Sequence, residues 1–199
     1  MTQFYLNRLP QAAVLILCLS CGSTAMASSS EEKVEQAQSI VAEFAGRLKP
    51  QLKAALQEGG PSKAIAVCSK QAPAIAQQLS ESTGWVVKRV SDRNRNPNAT
   101  PDTWEASSIK TLKTLKGQIA ERLASPTFTY EETPEGFRYA QAQLTEGLCL
   151  TCHGEAIAAE TQEALNEYYP DDLATGYKLG EVRGIISLLL PADSSVPAN

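Results

Sequence analysis

One short segment of the sequence has residue types and a spacing that could hold a cofactor. Cys149, Cys152 and His153 form a Cys-x-x-Cys-His motif, which is the spacing at which c-type haem is attached. Two thiols three positions apart on one turn can reach the two vinyl groups of a porphyrin, and the adjacent imidazole can then lie beneath the iron. The motif therefore predicts one covalently bound haem c, attached through Cys149 and Cys152, with His153 as an axial ligand of the iron.

Two other interpretations of these residues stay open. A structural zinc site has the right ligand count and would use Cys68, Cys149, Cys152 and His153. Adjacent Cys and His ligands on one tetrahedral ion would be strained, so this alternative ranks second. A Cys149–Cys152 disulfide is possible in an oxidising compartment but would give His153 no role and leave Cys68 alone, and free thiols are the remaining possibility.

The N-terminal segment indicates export. A basic residue, the apolar run 12–19 and the small residues of Ala25-Met26-Ala27 form the pattern of a secretory signal peptide over residues 1–27. The apolar run is shorter than the ~20 residues that a membrane-spanning helix needs. We expect the mature protein to be periplasmic or otherwise extracytoplasmic.

A lipid anchor at Cys21 is the alternative form of export. Cys21 directly follows the apolar run, as a lipid-modified cysteine does, but Cys18 stands where such motifs usually place a large aliphatic residue. This anchor is the one form of membrane attachment that we expect from the sequence.

Removal of the signal peptide limits the choice of a second axial ligand. Met1 and Met26 both lie in that segment, so the mature chain keeps His153 as its sole histidine and has no methionine. The sixth position on the iron is left to Cys68, a Lys or Tyr, water or nothing. Cys68 lies at helical spacing among apolar residues, where it is either a small buried thiol or, with haem in the same core, an axial thiolate. We predict the second role for Cys68.

Composition suits one folded domain. The chain has 199 residues, of which 43% are hydrophobic and 20% charged, enough to bury a core. Its formal net charge is −4, and the Lys and Arg residues are scattered, which argues against a nucleic-acid partner. We expect a haem-binding domain over residues 28–191 and a flexible tail over residues 192–199.

Hydrophobic periodicity predicts an α+β fold with an antiparallel sheet. Helical spacing predicts four helices, over about 28–60, 61–84, 101–123 and 155–168. We expect a kink at Pro50 in the first helix and an interruption at Pro73 in the second. Thr100 is predicted to cap the third helix. Strand-forming residues predict strands over 85–90, a hairpin over 127–131 and 137–144, and a central strand over 182–190.

The polar loop after the first predicted strand carries three candidate contacts for haem propionates. Arg89, Arg93 and Arg95 lie within or next to a segment rich in Asn and Pro, and arginine pairs well with carboxylates. The alternative is a solvated turn that its Asn side chains stabilise.

Four segments of the chain resemble a bacterial and cyanobacterial family of mono-haem c-type proteins with a PAS-like fold. They are AIAVCSKQAPAIAQQLS, VVKRVSDRNRNPNATPDTWE, GLCLTCHG and DDLATGYKLGEVRGIISL. The resemblance implies a PAS-like antiparallel sheet flanked by helices and haem bound through Cys149 and Cys152. It also implies axial ligation by His153 and by Cys68, which stands at the position of the family's cysteine ligand.

A His/Cys ligand pair leads to a functional expectation. Thiolate donates electron density to the iron and favours the ferric state, so we expect a low potential and a redox-responsive or gas-responsive sensor of haem type. A low-potential electron-transfer cytochrome is the alternative. The partners would be a redox protein or a small gas. We expect no enzymatic activity, because the one histidine that could act as a general base is already assigned to the iron.

Overall fold

An open four-stranded antiparallel sheet carries helices on both of its faces. The computed structural model describes residues 29–118 and 127–192. Within them the helices are α1 (Ser30–Thr83), α2 (Thr103–Gln118), α3 (Leu150–His153) and α4 (Ala159–Tyr168). The strands are β1 (Val86–Val90), β2 (Phe128–Thr133), β3 (Gly136–Leu144) and β4 (Val182–Pro191), in the order β1-β4-β3-β2. The predicted α+β class with an antiparallel sheet is confirmed.

The apolar strand β4 lies inside the sheet, as its sequence predicts. It pairs with β1 on one side and with β3 on the other, and Ile185 and Leu188 are fully buried. One face of the sheet packs against α1 through Ala37, Ile40, Phe44, Leu48, Ala72, Ile75, Leu79, Trp85, Val87, Phe137, Tyr139, Ile186 and Leu188. The other face packs against α2 through Val90, Ile109, Leu112, Ala140 and Ile185.

Two glycines divide α1 into two arms. The backbone leaves helical geometry at Gly59 and at Gly60, whose φ of 65° is left-handed and favours glycine. The second arm ends at Thr83, and Gly84 caps it with a left-handed backbone conformation, in agreement with the helix end predicted at residue 84. Pro50 and Pro73 keep helical backbone angles, so the interruption predicted at Pro73 is wrong, and the kink at Pro50 stays a prediction. The hinge between the arms is the glycine pair.

The cap of α2 differs from the prediction. Asp102 and Glu105 cap the helix reciprocally: the backbone N–H of Glu105 donates to Asp102 Oδ1, and that of Asp102 donates to Glu105 Oε2, both at 2.8 Å. This arrangement satisfies two N–H groups that a helix start leaves without partners. Thr100 instead ends a 3-10 turn, so its prediction as the cap is wrong.

Some sequence predictions fall outside the described residues. These are the signal peptide, the lipid anchor at Cys21, the end of the third predicted helix (119–123) and all but the first residue of the predicted tail. In the part of the chain that the structure covers, no helix combines the length and the apolarity that crossing a membrane requires.

A close approach between β1 and β4 leads to a prediction about stability. A Cβ atom added at Gly184 would lie 2.5 Å from the carbonyl oxygen of Val90, and the φ of Gly184 is 157°. We expect Gly184→Ala to lower the free energy of unfolding by about 1–3 kcal/mol, because the strands would have to separate or the backbone would be strained. The midpoint of urea denaturation measures this change.

Gly46→Ala in the first arm of α1 is the matched control. Its Cβ would meet no atom within 4 Å, and alanine is favoured over glycine inside a helix by about 0.5–1 kcal/mol. The urea midpoint of this variant should therefore rise. Equal shifts for the two variants would show that the contact at Gly184 has no energetic consequence.

Candidate functional site

The Cys-x-x-Cys-His motif folds as a short helical turn. A 3-10 turn at Gly147–Cys149 continues directly into α3, and Gly154 ends it with extended backbone. A Cβ atom at Gly154 would lie 2.6 Å from the carbonyl oxygen of Leu150, so the tight end of this turn requires glycine. Cys149 and Cys152 are half-buried free thiols, as is Cys68.

His153 is held by the loop that precedes β4. Its Nδ1 donates to the carbonyl oxygen of Ala174 at 2.7 Å, because a carbonyl can only accept a hydrogen bond. This bond fixes the tautomer and leaves Nε2 as the nitrogen with a free lone pair. The backbone N–H of Tyr177 also donates to the carbonyl oxygen of His153 at 2.9 Å. The Nε2 of His153 is therefore the ring nitrogen that is available for coordination.

The surroundings of His153 keep its imidazole neutral. Burial, together with the positive charges of Arg183 and Arg95, holds the pKa of His153 well below its usual range. Metal ligation requires the neutral form of the ring. The residue is thus in the protonation state of a ligand at physiological pH.

A cavity of about 430 Å³ brings the predicted site residues together. Its wall includes Cys68, Cys149, Cys152 and His153, which come from the second arm of α1 and from the motif. Both arms of α1 contribute apolar wall, as do β1 and the motif turn: Leu48, Leu52, Leu56, Ile65, Val87 and Leu148. Cavities that bind small molecules or cofactors measure about 300–1,000 Å³ and are mostly apolar with a few polar groups. This cavity has both properties.

Cys68 faces the cavity from α1. Burial raises the pKa of its thiol, whereas the nearby charges of Arg89 and Arg183 act in the opposite direction. Cys68 is separated from the motif by more than 80 positions in the sequence, and the packing of α4 against the second arm of α1, through Ile65 and Leu165, joins the two regions.

The four predicted donors surround the cavity and do not form a compact cluster. Among the described residues, no three His, Cys, Asp or Glu side chains lie close enough together to hold a single metal ion. A structural zinc site needs four ligands at about 2.0–2.3 Å from one ion. The structure therefore gives no support to the zinc alternative, since its four ligands would have to move together.

Two of the three predicted arginines are occupied by the protein itself. Arg93 donates to the carbonyl oxygens of Leu173 and Thr175 and lies over the ring of Tyr177. Arg95 donates to the carbonyl oxygen of Cys152 and forms an ion pair with Asp172 at 3.0 Å. These two side chains fasten the loop after β1 to the motif and to the loop before β4.

The third arginine, Arg89, has a neighbour that was not predicted from the sequence. Arg89 on β1 and Arg183 on β4 both line the cavity, and the Nε of each is buried without a hydrogen-bond partner among the described residues. Burial and the charge of Arg183 lower the pKa of Arg89 to about 10. The sequence does carry a signal for Arg183, because it is the one charged residue in the apolar run 182–190.

Comparison with known proteins agrees with this architecture. The family model described as Tll0287-like matches residues 22–191. Among solved structures, the crystal structure of the cyanobacterial haem protein Tll0287 matches with a TM-score of 0.62 at 23% sequence identity, over 85% of this chain and 100% of that chain. This likeness shows the fold, and no curated protein matches the sequence. Because the family model spans nearly the whole described chain, the protein belongs to the Tll0287-like family.

Proposed function

We propose that this chain is an exported mono-haem protein of c type. Cys149 and Cys152 would hold the porphyrin through thioethers, and His153 and Cys68 would be the axial ligands of the iron. The observation that carries the proposal is that all four residues line one mostly apolar cavity. The structurally similar protein Tll0287 is a cyanobacterial haem protein, which supports the same prosthetic group.

The residues present fit such a group. The thiols of the motif are free, and His153 offers Nε2 because its Nδ1 donates to Ala174. His153 lies on α3 and Cys68 lies on α1. The two proposed iron ligands therefore enter the cavity wall from two different helices. Burial raises the pKa of the Cys68 thiol, but coordination to a metal deprotonates a thiol outright.

We infer a sensor-type role from this ligand pair. Bound haem supplies reversible one-electron chemistry and a position for small gases. Cys68 lies on the arm of α1 between the glycine hinge and Gly84. If Cys68 left the iron, the arm of α1 that carries it would lose one contact with the haem. Because this arm begins at the glycine hinge, it is a candidate for an element that changes between two positions.

Electron transfer is the second candidate, and one observation favours it. Leu148, next to Cys149, is 42% exposed, and Thr151 is also exposed. The motif turn is thus close to the surface, where a redox partner protein could approach it. In this role both axial ligands would stay in place in both oxidation states.

We propose that the chain is extracytoplasmic, either after cleavage of residues 1–27 or through a lipid anchor at Cys21. The PAS-like description stays a prediction. We assign no enzymatic activity, because His153 serves as a ligand and no other histidine is present in the chain.

Expression with a c-type maturation system tests the proposal. We expect a coloured protein whose haem resists denaturation and whose ferric spectrum is that of a six-coordinate thiolate complex. Binding of CO after reduction would support the sensor role, because one axial ligand must then have left the iron. A CO spectrum without the thiolate–CO Soret band would identify Cys68 as that ligand. A reduced spectrum that is six-coordinate and unchanged by CO would support electron transfer. A colourless product, or one that contains zinc, would contradict the proposal.

A further inference from the structure

Two arginines in the cavity wall have no counter-charge among the described residues. Arg89 and Arg183 both line the cavity and each has a buried Nε without a hydrogen-bond partner. Neither forms an ion pair within residues 29–118 and 127–192, whereas Arg95 in the same wall pairs with Asp172. The only aromatic contact of the Arg89 guanidinium in this part of the chain is with the ring of Phe44.

Leaving two guanidinium groups without partners is energetically costly. Buried polar groups are nearly always hydrogen-bonded, and an unsatisfied one calls for an explanation, of which an absent water, ion or ligand is one. Like charges also repel, and the pKa of Arg89 is lowered to about 10, in part by Arg183. Two negative charges at this wall would remove both penalties.

The position of the pair selects the kind of partner. β1 and β4 are paired antiparallel, with Val90 opposite Ile185, so the two arginines come from neighbouring strands at the same end of the sheet. A planar guanidinium is suited to bind carboxylate through two parallel hydrogen bonds. The wall is therefore suited to a ligand that carries two carboxylates and has an apolar body.

We infer that Arg89 and Arg183 bind the two propionate carboxylates of the porphyrin, and that Arg93 and Arg95 do not. This inference rests on the proposed function. It adds that the cavity prefers a porphyrin with two free carboxylates over one without them. Arg93 and Arg95 are set apart from this pair because both already donate to backbone carbonyls and Arg95 also pairs with Asp172. The Nε of Arg95 is likewise buried without a hydrogen-bond partner among the described residues, so the difference lies in its terminal nitrogens.

Binding of mesohaemin and of its dimethyl ester to the reduced, haem-free full-length chain tests the inference. The ethyl groups of mesohaemin cannot form thioethers, so all the cysteines stay unmodified, and the ester lacks both charges. We expect the wild type to bind the diacid at least about tenfold more tightly than the ester, since each hydrogen bond to a charged group contributes on that scale. In R89Q/R183Q this ratio should fall close to one.

Two further variants separate charge from structure. R89K/R183K keeps both charges and should retain most of the preference for the diacid. R93Q removes one charge from the same wall and should leave the ratio unchanged, although it breaks the contacts with Leu173 and Thr175.

The wild-type measurement alone can overturn the inference, even if a variant fails to fold. Tight and equal binding of diacid and ester would show that the carboxylates are not recognised, while the proposed haem site would stand. A ratio that falls in R93Q as much as in R89Q/R183Q would also overturn it. Failure of the wild type to bind either porphyrin would reject both the proposed function and this inference.

Discussion

Replacing Cys149 and Cys152 together by alanine is expected to abolish covalent haem attachment. On the proposed function these two thiols are the links between porphyrin and polypeptide, and Cys68 is the only other cysteine in the mature chain. Both are half-buried at the cavity wall, and Cys152 packs against the cluster of Ile65 and Leu165. In the double variant no haem should therefore stay attached to the polypeptide after denaturation. Haem staining after denaturing electrophoresis and the intact mass of the protein measure it.

The single variants and a third cysteine provide controls. Cys149→Ala or Cys152→Ala should each keep one thioether and a reduced yield of attached haem. Cys68→Ala makes the same chemical change at the same cavity and should keep full attachment. If haem stays attached after denaturation in the double variant, the assignment of the motif is wrong.

Replacing Cys68 by methionine is expected to raise the midpoint potential on the order of 0.2 V, part of the ~0.8 V range that axial ligands control. Thiolate stabilises the ferric iron by donating electron density, whereas the neutral thioether of methionine raises the potential. The ferric spectrum should lose its thiolate signature at the same time. Spectroelectrochemical titration measures both changes in one sample.

Ser69→Ala is the matched control for this variant. Ser69 is the next residue on the same arm, lines the same cavity and donates its hydroxyl to the carbonyl oxygen of Ala66 at 2.9 Å, so it offers no charge to the iron. Its replacement should leave potential and spectrum unchanged. If Cys68→Met behaves like Ser69→Ala, Cys68 is a buried structural thiol and the sixth ligand lies elsewhere.

Local signals made much of the fold predictable from the sequence. Gly60 and Gly84 mark the ends of the two arms of α1, since glycine adopts the left-handed φ of 65° and 76° at these positions without strain. The apolar run before Pro191 predicted the interior strand β4, because a short continuous apolar run is typical of a strand that is buried on both faces. The cap of α2 was missed because Thr100-Pro101 is a common helix start, and it competes in the sequence with the capping box of Asp102 and Glu105.

The candidate site was predictable only in part. The spacing of Cys149, Cys152 and His153 is visible in five residues, but the roles of the arginines depend on contacts across 57 to 82 positions of the chain. Nothing local distinguishes Arg93, which donates to backbone carbonyls, from Arg89, whose buried Nε has no hydrogen-bond partner in the described part of the chain. The pairing of β1 with β4 brings Arg183 beside Arg89, and sequence periodicity does not give that register.

The two hydrogen bonds between His153 and the loop before β4 have a consequence for the order of biosynthesis. Ala174, which accepts from the ring of His153, lies 21 positions after it in the chain, and Tyr177, which donates to its carbonyl oxygen, follows Ala174. If the chain is exported from its N-terminus, as proposed, the two thiols leave the membrane before the groups that orient the imidazole. On the proposed function, this sequence of events gives an attachment enzyme access to an open motif, and the docking of the last strand afterwards locks the iron ligand in place.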